Sequence, residues 1–286
     1  MRFQQLHQRA RRPRTLAIGL LAILPIHAGI AIAQVSSTGD ASVNFTPGNA
    51  IGPAQTVNLT GQTVFVGFTG TPTQTGTLSV INGGLLSAAR VVAGIGGQGN
   101  GSVLVNSGGR INLTGSQTNG LEIGSWGTGA MTVANGGSVV CAPVAACAFS
   151  VLGNGAGSTG RLTIDNAQVS GLVQLNVGHG GVVPAVPPAP GFGTPGASTS
   201  GILRIVNGGT LQTVIGSVGS SFLSNPTGPV TGVVTIDGPG SAWNLVRDLT
   251  VTNGQVTANS QQAFLSLGTL AGGTGEVSVR KGGTLG

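Results

Sequence analysis

A short pattern recurs along most of this chain: a glycine, two apolar residues at alternating positions, and then a pair of glycines. Two of its copies keep the apolar residues but lack the glycine pair. Successive copies begin 25 to 43 residues apart, at Gly76, Gly101, Gly129, Gly160, Gly201, Gly232 and Gly275. A unit repeated at this period, with insertions of variable length, is typical of a solenoid, in which each unit stacks on the next.

The spacing within each copy predicts β-strands. Alternate residues of a strand point to the same side, so the two apolar residues face a core and the residue between them faces solvent. Each glycine pair predicts a tight turn, because glycine adopts positive φ without steric cost. The turn glycines are Gly83, Gly84, Gly108, Gly109, Gly136, Gly137, Gly208, Gly209, Gly282 and Gly283.

A second motif lies between the copies and consists of an apolar stretch that ends in glycine. It ends at Gly94, Gly124, Gly153, Gly178 and Gly268, so each period contains at least two strands. Helical periodicity is absent after residue 33. We therefore predict an all-β fold, a right-handed parallel β-helix whose coils stack about 4.8 Å apart. A β-roll and a stacked β-sandwich are the alternatives that fit the same repeat.

Composition agrees with this fold and excludes two others. The chain has 53 glycines among 286 residues, with 6% charged and 3% aromatic residues. The glycines do not fall at every third position, which excludes collagen. The 40% of hydrophobic residues is too high for a disordered chain.

The first 33 residues have the three parts of a secretion signal. A basic segment at 1–14 precedes an apolar segment at 16–32. Ala31 and Ala33 form a small-x-small cleavage site, which leaves Gln34 as the new N-terminus. The apolar segment is short for a membrane anchor, which is the alternative interpretation.

The positive charge of the chain belongs mainly to this leader. The formal net charge is +6, but five of the twelve cations lie before residue 15, whereas all six acids lie after residue 33. The remaining chain has no basic cluster, so we expect no nucleic-acid partner. Arg11-Arg12 permits a twin-arginine signal, although Pro13 and Arg14 interrupt the usual context.

The chain is therefore expected to have three parts. These are a signal peptide at 1–33, an N-terminal cap with the first coils at 34–75, and the repeat solenoid at 76–286. Two insertions are expected to leave the solenoid as loops, at 180–200 and 217–231. The first contains five prolines, which favour an extended polyproline conformation.

Cys141 and Cys147 are the only cysteines, and in an exported chain two nearby cysteines are expected to form a disulfide. The bond would pin a loop after the Gly129 copy. No further metal ligand lies near them in sequence. The glycine-rich turns also lack the aspartates of calcium-binding rolls. We therefore expect no metal and no cofactor.

Several isolated residues have a structural and a functional interpretation. Gly94 to Gly99 match G-x-G-x-x-G, but a dinucleotide site needs a following helix, so we interpret them as a repeat corner. His179, the one histidine after the leader, is expected in an exposed loop. Trp126 and Trp243 are expected at a corner or in the core rather than stacked on a sugar.

A polysaccharide-cleaving β-helix would need paired carboxylates. Alignment of the acids on one face would favour such an enzyme, and dispersal as solvated charges would disfavour it. No serine has a nucleophile motif around it, and we expect no catalytic residue. The candidate acids are Glu122, Asp165, Asp237, Asp248 and Glu276.

The copies GTLSVINGG, GSVLVNSGG, GAMTVANGG and GILRIVNGG resemble the repeats of autotransporter passenger domains, exported surface proteins of Gram-negative bacteria. The resemblance covers residues 76–286, and a closely spaced cysteine pair is similar to what such passengers carry. It implies transport through the periplasm to the cell surface, the outer membrane or the medium, and with it adhesion or autoaggregation.

The chain departs from that family because no translocator β-barrel follows the repeats. Such a barrel has alternating strands of about ten residues and aromatic girdles. We expect it downstream, which would make the chain a fragment, unless the protein is secreted by another route. The leading hypothesis is a rod that binds host or bacterial surface glycans or proteins, or other copies of itself. A passive stalk and a polysaccharide-degrading enzyme are the alternatives.

Overall fold

The computed structural model describes residues 34–39, 41–43, 56–68, 75–96, 99–114, 119–142, 147–180, 197–220, 228–246, 249–252, 255–258, 263–269 and 272–286. Strands dominate these residues, and most strand pairs are parallel. The prediction of an all-β fold with parallel sheets is therefore confirmed. No helix among the described residues has the length and apolar character needed to cross a membrane. The predicted signal peptide 1–33 lies outside the described residues.

The strands of the described chain form two large sheets and one small hairpin. Sheet 1 has eight strands, sheet 2 has twelve, and the hairpin is β18 with β19. In chain order the strands are β1 (Gln34–Gly39), β2 (Ala41–Val43), β3 (Thr56–Phe68), β4 (Thr75–Ile81), β5 (Leu85–Ile95), β6 (Asn100–Asn106), β7 (Arg110–Leu113), β8 (Asn119–Ser125), β9 (Thr128–Ala134), β10 (Ser138–Cys141), β11 (Phe149–Asn154), β12 (Thr159–Asp165), β13 (Gln168–His179), β14 (Thr199–Val206), β15 (Thr210–Ser220), β16 (Val230–Asp237), β17 (Ala242–Leu245), β18 (Leu249–Thr252), β19 (Gln255–Ala258), β20 (Phe264–Leu267), β21 (Gly273–Arg280) and β22 (Thr284–Leu285).

Sheet 1 contains β1 at one edge and then the first strand of each repeat, in the order β1-β4-β6-β9-β12-β14-β16-β21. Its pairs are parallel except for β1 with β4. The two copies without a glycine pair occupy the same register as the others. The glycines paired from strand to strand are Gly76, Gly101, Gly129, Gly160, Gly201, Gly232 and Gly275.

Sheet 2 contains the second half of each repeat. Strands β3, β5, β13 and β15 are long, whereas three other coils cover the same path with two short strands each. The short strands are β7 and β8, β10 and β11, and β17 and β20. Equivalent strands stack in parallel from coil to coil, which is consistent with the predicted β-solenoid.

The hydrophobic core consists of rows of equivalent apolar side chains contributed by both sheets. Burial of each such side chain stabilises the fold by about 1.5–3 kcal/mol, and it requires a neighbouring coil. One buried row of sheet 1 is Leu78, Val103, Met131, Leu162, Leu203 and Val234. A buried row of sheet 2 is Leu86, Ile111, Val139, Val169, Leu211 and Trp243.

The turns between the sheets use the two glycines of a pair differently from the prediction. Asn82 and Gly83 both have positive φ, of 53° and 74°, as the two central residues of a type I′ turn require. The second glycine of a pair is not in this conformation. At Gly109 a Cβ would instead overlap the backbone carbonyl of Val80 in the preceding coil. The pair therefore meets two requirements, a left-handed conformation and a close backbone approach.

Both insertions of the solenoid are shorter than predicted. Strand β15 continues through Ser220 and β16 begins at Val230, so the segment 217–231 is not all loop. The segment 180–200 ends in β14, which begins at Thr199. The difference arises because Gly219, with a φ of 63°, ends a further copy of the apolar motif.

Candidate functional site

The long insertions leave the coils at two corners. At the middle corner, insertions separate the two short strands of a coil, after β7, β10 and β17. At the end corner, insertions follow β13 and β15, whose last residues His179 and Ser220 are paired across the sheet. The insertions of neighbouring coils therefore begin at equivalent positions of the described strands. In solenoids, insertions on one face of the repeats often form the binding surface.

A disulfide between Cys141 and Cys147 lies at the middle corner. Cys141 ends β10 at the position that Leu113 occupies in the neighbouring coil, and both cysteines are buried. Gly120 lies against Cys147, where a Cβ would overlap the sulfur atom. The disulfide thus closes the loop and also fills the core.

A row of polar residues lies at the base of the end corner. Ser125, Asn154, His179 and Ser220 occupy equivalent positions in successive coils. The ring of His179 meets the ring of Phe149 edge-on, with centroids 5.3 Å apart. Burial lowers the pKa of His179 from 6.5 to about 4, so the imidazole is neutral at neutral pH. The expectation of an exposed loop histidine is wrong, because His179 ends β13 and is 9% exposed.

An ion pair that the sequence did not predict lies on the side of sheet 2 opposite to the core. Arg90 of β5 contacts Glu122 of β8, and the carboxylate is 2% exposed. Glu122 is paired across the sheet with Val92 and Val151, so its two cross-strand neighbours are apolar. Removing one partner of a buried ion pair is strongly destabilising. The pair therefore makes these two coils depend on each other.

Two of the other acids, Asp165 and Asp237, are equivalent residues of β12 and β16. Strand β14 separates them, which places their backbones about 10 Å apart. Asp165 accepts a hydrogen bond from Asn207 at 2.8 Å, and Asp237 lies 3.8 Å from Lys281. Each carboxylate is thus engaged at the turns by its own partner.

The remaining candidate acids lie elsewhere. Glu276 is exposed on sheet 1, Glu122 is paired as described above, and Asp248 lies outside the described residues. Within the part of the chain that the structure describes, no three residues of His, Cys, Asp or Glu are grouped as metal ligands.

The two tryptophans have different surroundings. Trp243 is buried in the core, and its Nε1 donates a hydrogen bond of 2.9 Å to Thr213. Trp126 is half-buried at the end corner, has a φ of 66°, and lies against Gly155, where a Cβ would overlap the ring. Gly94, which begins the G-x-G-x-x-G sequence, has a φ of 68° near the end of β5, and a strand rather than a helix follows.

The outward side chains of sheet 1, which we name the outer face, form a regular surface. Because the strands are parallel and in register, these side chains form rows with about 4.8 Å between neighbours. Among the described residues of this face none is aromatic. Its members include Ser102, Thr132, Arg161, Arg204 and Thr235.

Comparisons of the chain with protein-family models, curated proteins and solved structures found no match. The resemblance to autotransporter passengers therefore rests on the repeat sequences alone.

Proposed function

We propose that the chain is the passenger segment of an exported surface protein. In this proposal it is a right-handed parallel β-helix whose regular faces and corner loops bind surface glycans or proteins, or other copies of the chain. The observation that supports it is the in-register stacking of equivalent strands, with the long insertions confined to two corners. A rigid frame that carries variable loops is suited to recognition.

Export is the part of the proposal that rests on the leader. Residues 1–33 would be removed by cleavage before Gln34. The Cys141–Cys147 disulfide supports an oxidising compartment outside the cytoplasm. Placement at the cell surface requires a translocator, as in the autotransporters that the repeats resemble.

The export proposal is tested by expressing the full chain with a C-terminal tag in a Gram-negative host and determining the N-terminus of the product. We expect a periplasmic product that begins at Gln34. A cytoplasmic product that keeps residues 1–33 would contradict export.

The binding proposal is tested with the purified mature chain attached to beads. We expect the beads to clump with one another or to adhere to surfaces coated with glycans or matrix proteins. Beads that carry the same protein after reduction and unfolding in urea are the control. If folded protein supports neither clumping nor adhesion, the passive-stalk alternative replaces the binding function.

A further inference from the structure

Most described cations of the mature chain have a partner, and two do not. No hydrogen bond or ion pair within the described chain involves Arg161 or Arg204, and both side chains are exposed. The partnered cations are Arg90 with Glu122, Arg110 with Asn112, Arg280 with Ser278, and Lys281 with Asp237. The two guanidinium groups without partners are therefore available to an external ligand.

These two arginines are neighbours on the outer face of sheet 1. Arg161 of β12 is paired across the sheet with Ile202, and Arg204 lies two residues further along β14, paired with Thr163. Both arginines alternate with buried leucines, so both project from the same face. A strand spacing of about 4.8 Å and a rise of about 3.3 Å per residue place their Cα atoms about 8 Å apart.

The acids nearest to these arginines by register already have partners. Asp165 and Asp237 each lie one strand over and two residues along from Arg204. Asp165 accepts a hydrogen bond from Asn207 and Asp237 lies near Lys281, so neither carboxylate is paired with Arg161 or Arg204. Glu276, on the same face, lies on β21, which is separated from β14 by β16. Guanidinium groups remain charged at all physiological pH values and bind planar oxyanions with two parallel hydrogen bonds.

We propose that the Arg161–Arg204 pair binds the carboxylate or sulfate groups of an anionic polysaccharide laid across the outer face. Thr163 offers a hydroxyl group beside the arginines, and Ile202 lies between them and offers an apolar contact. The described residues of this face include no aromatic side chain, which besides arginine is the anchor type that protein–protein interfaces favour. This inference deepens the proposed function and rests on it, because it names the ligand class of one binding surface.

The test measures binding of the purified mature chain to polygalacturonate and to a sulfated polysaccharide, each beside its methyl-esterified or desulfated counterpart. We expect the charged forms to bind and the uncharged forms not to bind. Preference between the two charged ligands identifies whether carboxylate or sulfate is the preferred group. The double variant R161Q/R204Q should bind about tenfold more weakly or worse.

The matched control is R110Q, which removes an exposed arginine from sheet 2 and should bind like the unmodified protein. Circular dichroism and thermal melting of the variants verify that each one folds. Equal binding of charged and uncharged forms, unchanged binding by R161Q/R204Q, or an equal loss in R110Q would overturn the proposal. Equally tight, arginine-dependent binding of single-stranded DNA would also overturn it, because the site would then be a general polyanion site.

The two proposals fail in different ways. If beads clump or adhere but polysaccharide binding does not depend on Arg161 and Arg204, the ligand assignment fails and the binding function stands. If neither clumping, adhesion nor polysaccharide binding occurs with folded protein, both fail.

Discussion

Two adjacent glycines of one turn have different structural roles. Gly108 has a φ of 74° and nearly open space where a Cβ would lie. Gly109 lies against the carbonyl of Val80 in the preceding coil, with no room for a Cβ. Alanine at position 108 therefore adds backbone strain of about 1–2 kcal/mol, whereas alanine at position 109 must displace a paired strand.

We expect Gly109→Ala to reduce the free energy of unfolding by about 1–3 kcal/mol more than Gly108→Ala does. Urea titrations of both variants, followed by circular dichroism, measure the difference. If the two variants lose the same stability, close backbone approach is not the reason for the second glycine.

The buried imidazole of His179 makes the stability of the fold depend on pH. Its pKa is lowered from 6.5 to about 4, so the unfolded chain binds more protons than the folded chain between these values. The contribution of His179 to the free energy of unfolding is fully present above about pH 6.5. As the pH falls toward 4, protonation favours the unfolded chain, and this free energy falls by about 3 kcal/mol at most.

This contribution is isolated by comparing the unmodified protein with His179→Asn, since asparagine occupies the equivalent position 154. We expect the variant to lose less stability between pH 7 and about pH 4, as measured by urea unfolding at each pH. Parallel pH curves for the two proteins would show that His179 is as easily protonated in the folded chain as in the unfolded chain.

At the scale of elements, the β18–β19 hairpin is an addition to a coil that closes without it. In β15 a single residue, Val214, lies between the residue that is paired with Leu245 and the residue that is paired with Phe264. The next coil covers the same distance with residues 246–263. The hairpin strands pair only with each other among the described residues.

Replacement of residues 246–263 by a single valine, as in β15, should therefore leave the fold intact. We expect an unchanged β-sheet spectrum and a melting temperature within a few degrees of the original, as about 1 kcal/mol allows. Deletion of β16 is the control, since it removes a strand that is paired with both β14 and β21 and should unfold the neighbouring coils. A spectrum without β-structure after the hairpin replacement would show that the hairpin supports the coil.

Local patterns predicted the strands well and contacts between distant residues poorly. The alternation of apolar residues and the leading glycine placed even the degenerate copies at Gly160 and Gly232 in register. The same register places Arg161 and Arg204 on adjacent strands, but the repeat pattern does not show which charged side chains find partners within the chain. The apolar residues on either side of Glu122 in the sequence predict that its side chain points away from the core. Alternation alone does not show that this side of sheet 2 is buried.

Across the whole molecule, each coil contacts mainly the coils before and after it, because equivalent strands are hydrogen-bonded in sequence. In such an array, stability is a sum of coil terms and terms between neighbours. Leu162 is fully buried between Met131 and Leu203. Its truncation should therefore weaken one part of the array more than the rest.

We expect Leu162→Ala to cost about 2–5 kcal/mol and to accelerate amide hydrogen exchange most strongly in β9, β12 and β14. Exchange in β4 and β21 should change less. Hydrogen exchange followed by mass spectrometry on the variant and on the unmodified protein measures both effects. A uniform increase along the described strands would show that the coils unfold together rather than as neighbours.

The confinement of long insertions to two corners has a consequence for how such a chain can change over generations. A duplication or deletion within a corner loop leaves every hydrogen-bonded pair of the sheets where it was, because the loop begins and ends at fixed positions of the coil. Sequence drift in the loops is thus separated from selection on the core. A lineage can therefore change these loops without having to find a new way to fold.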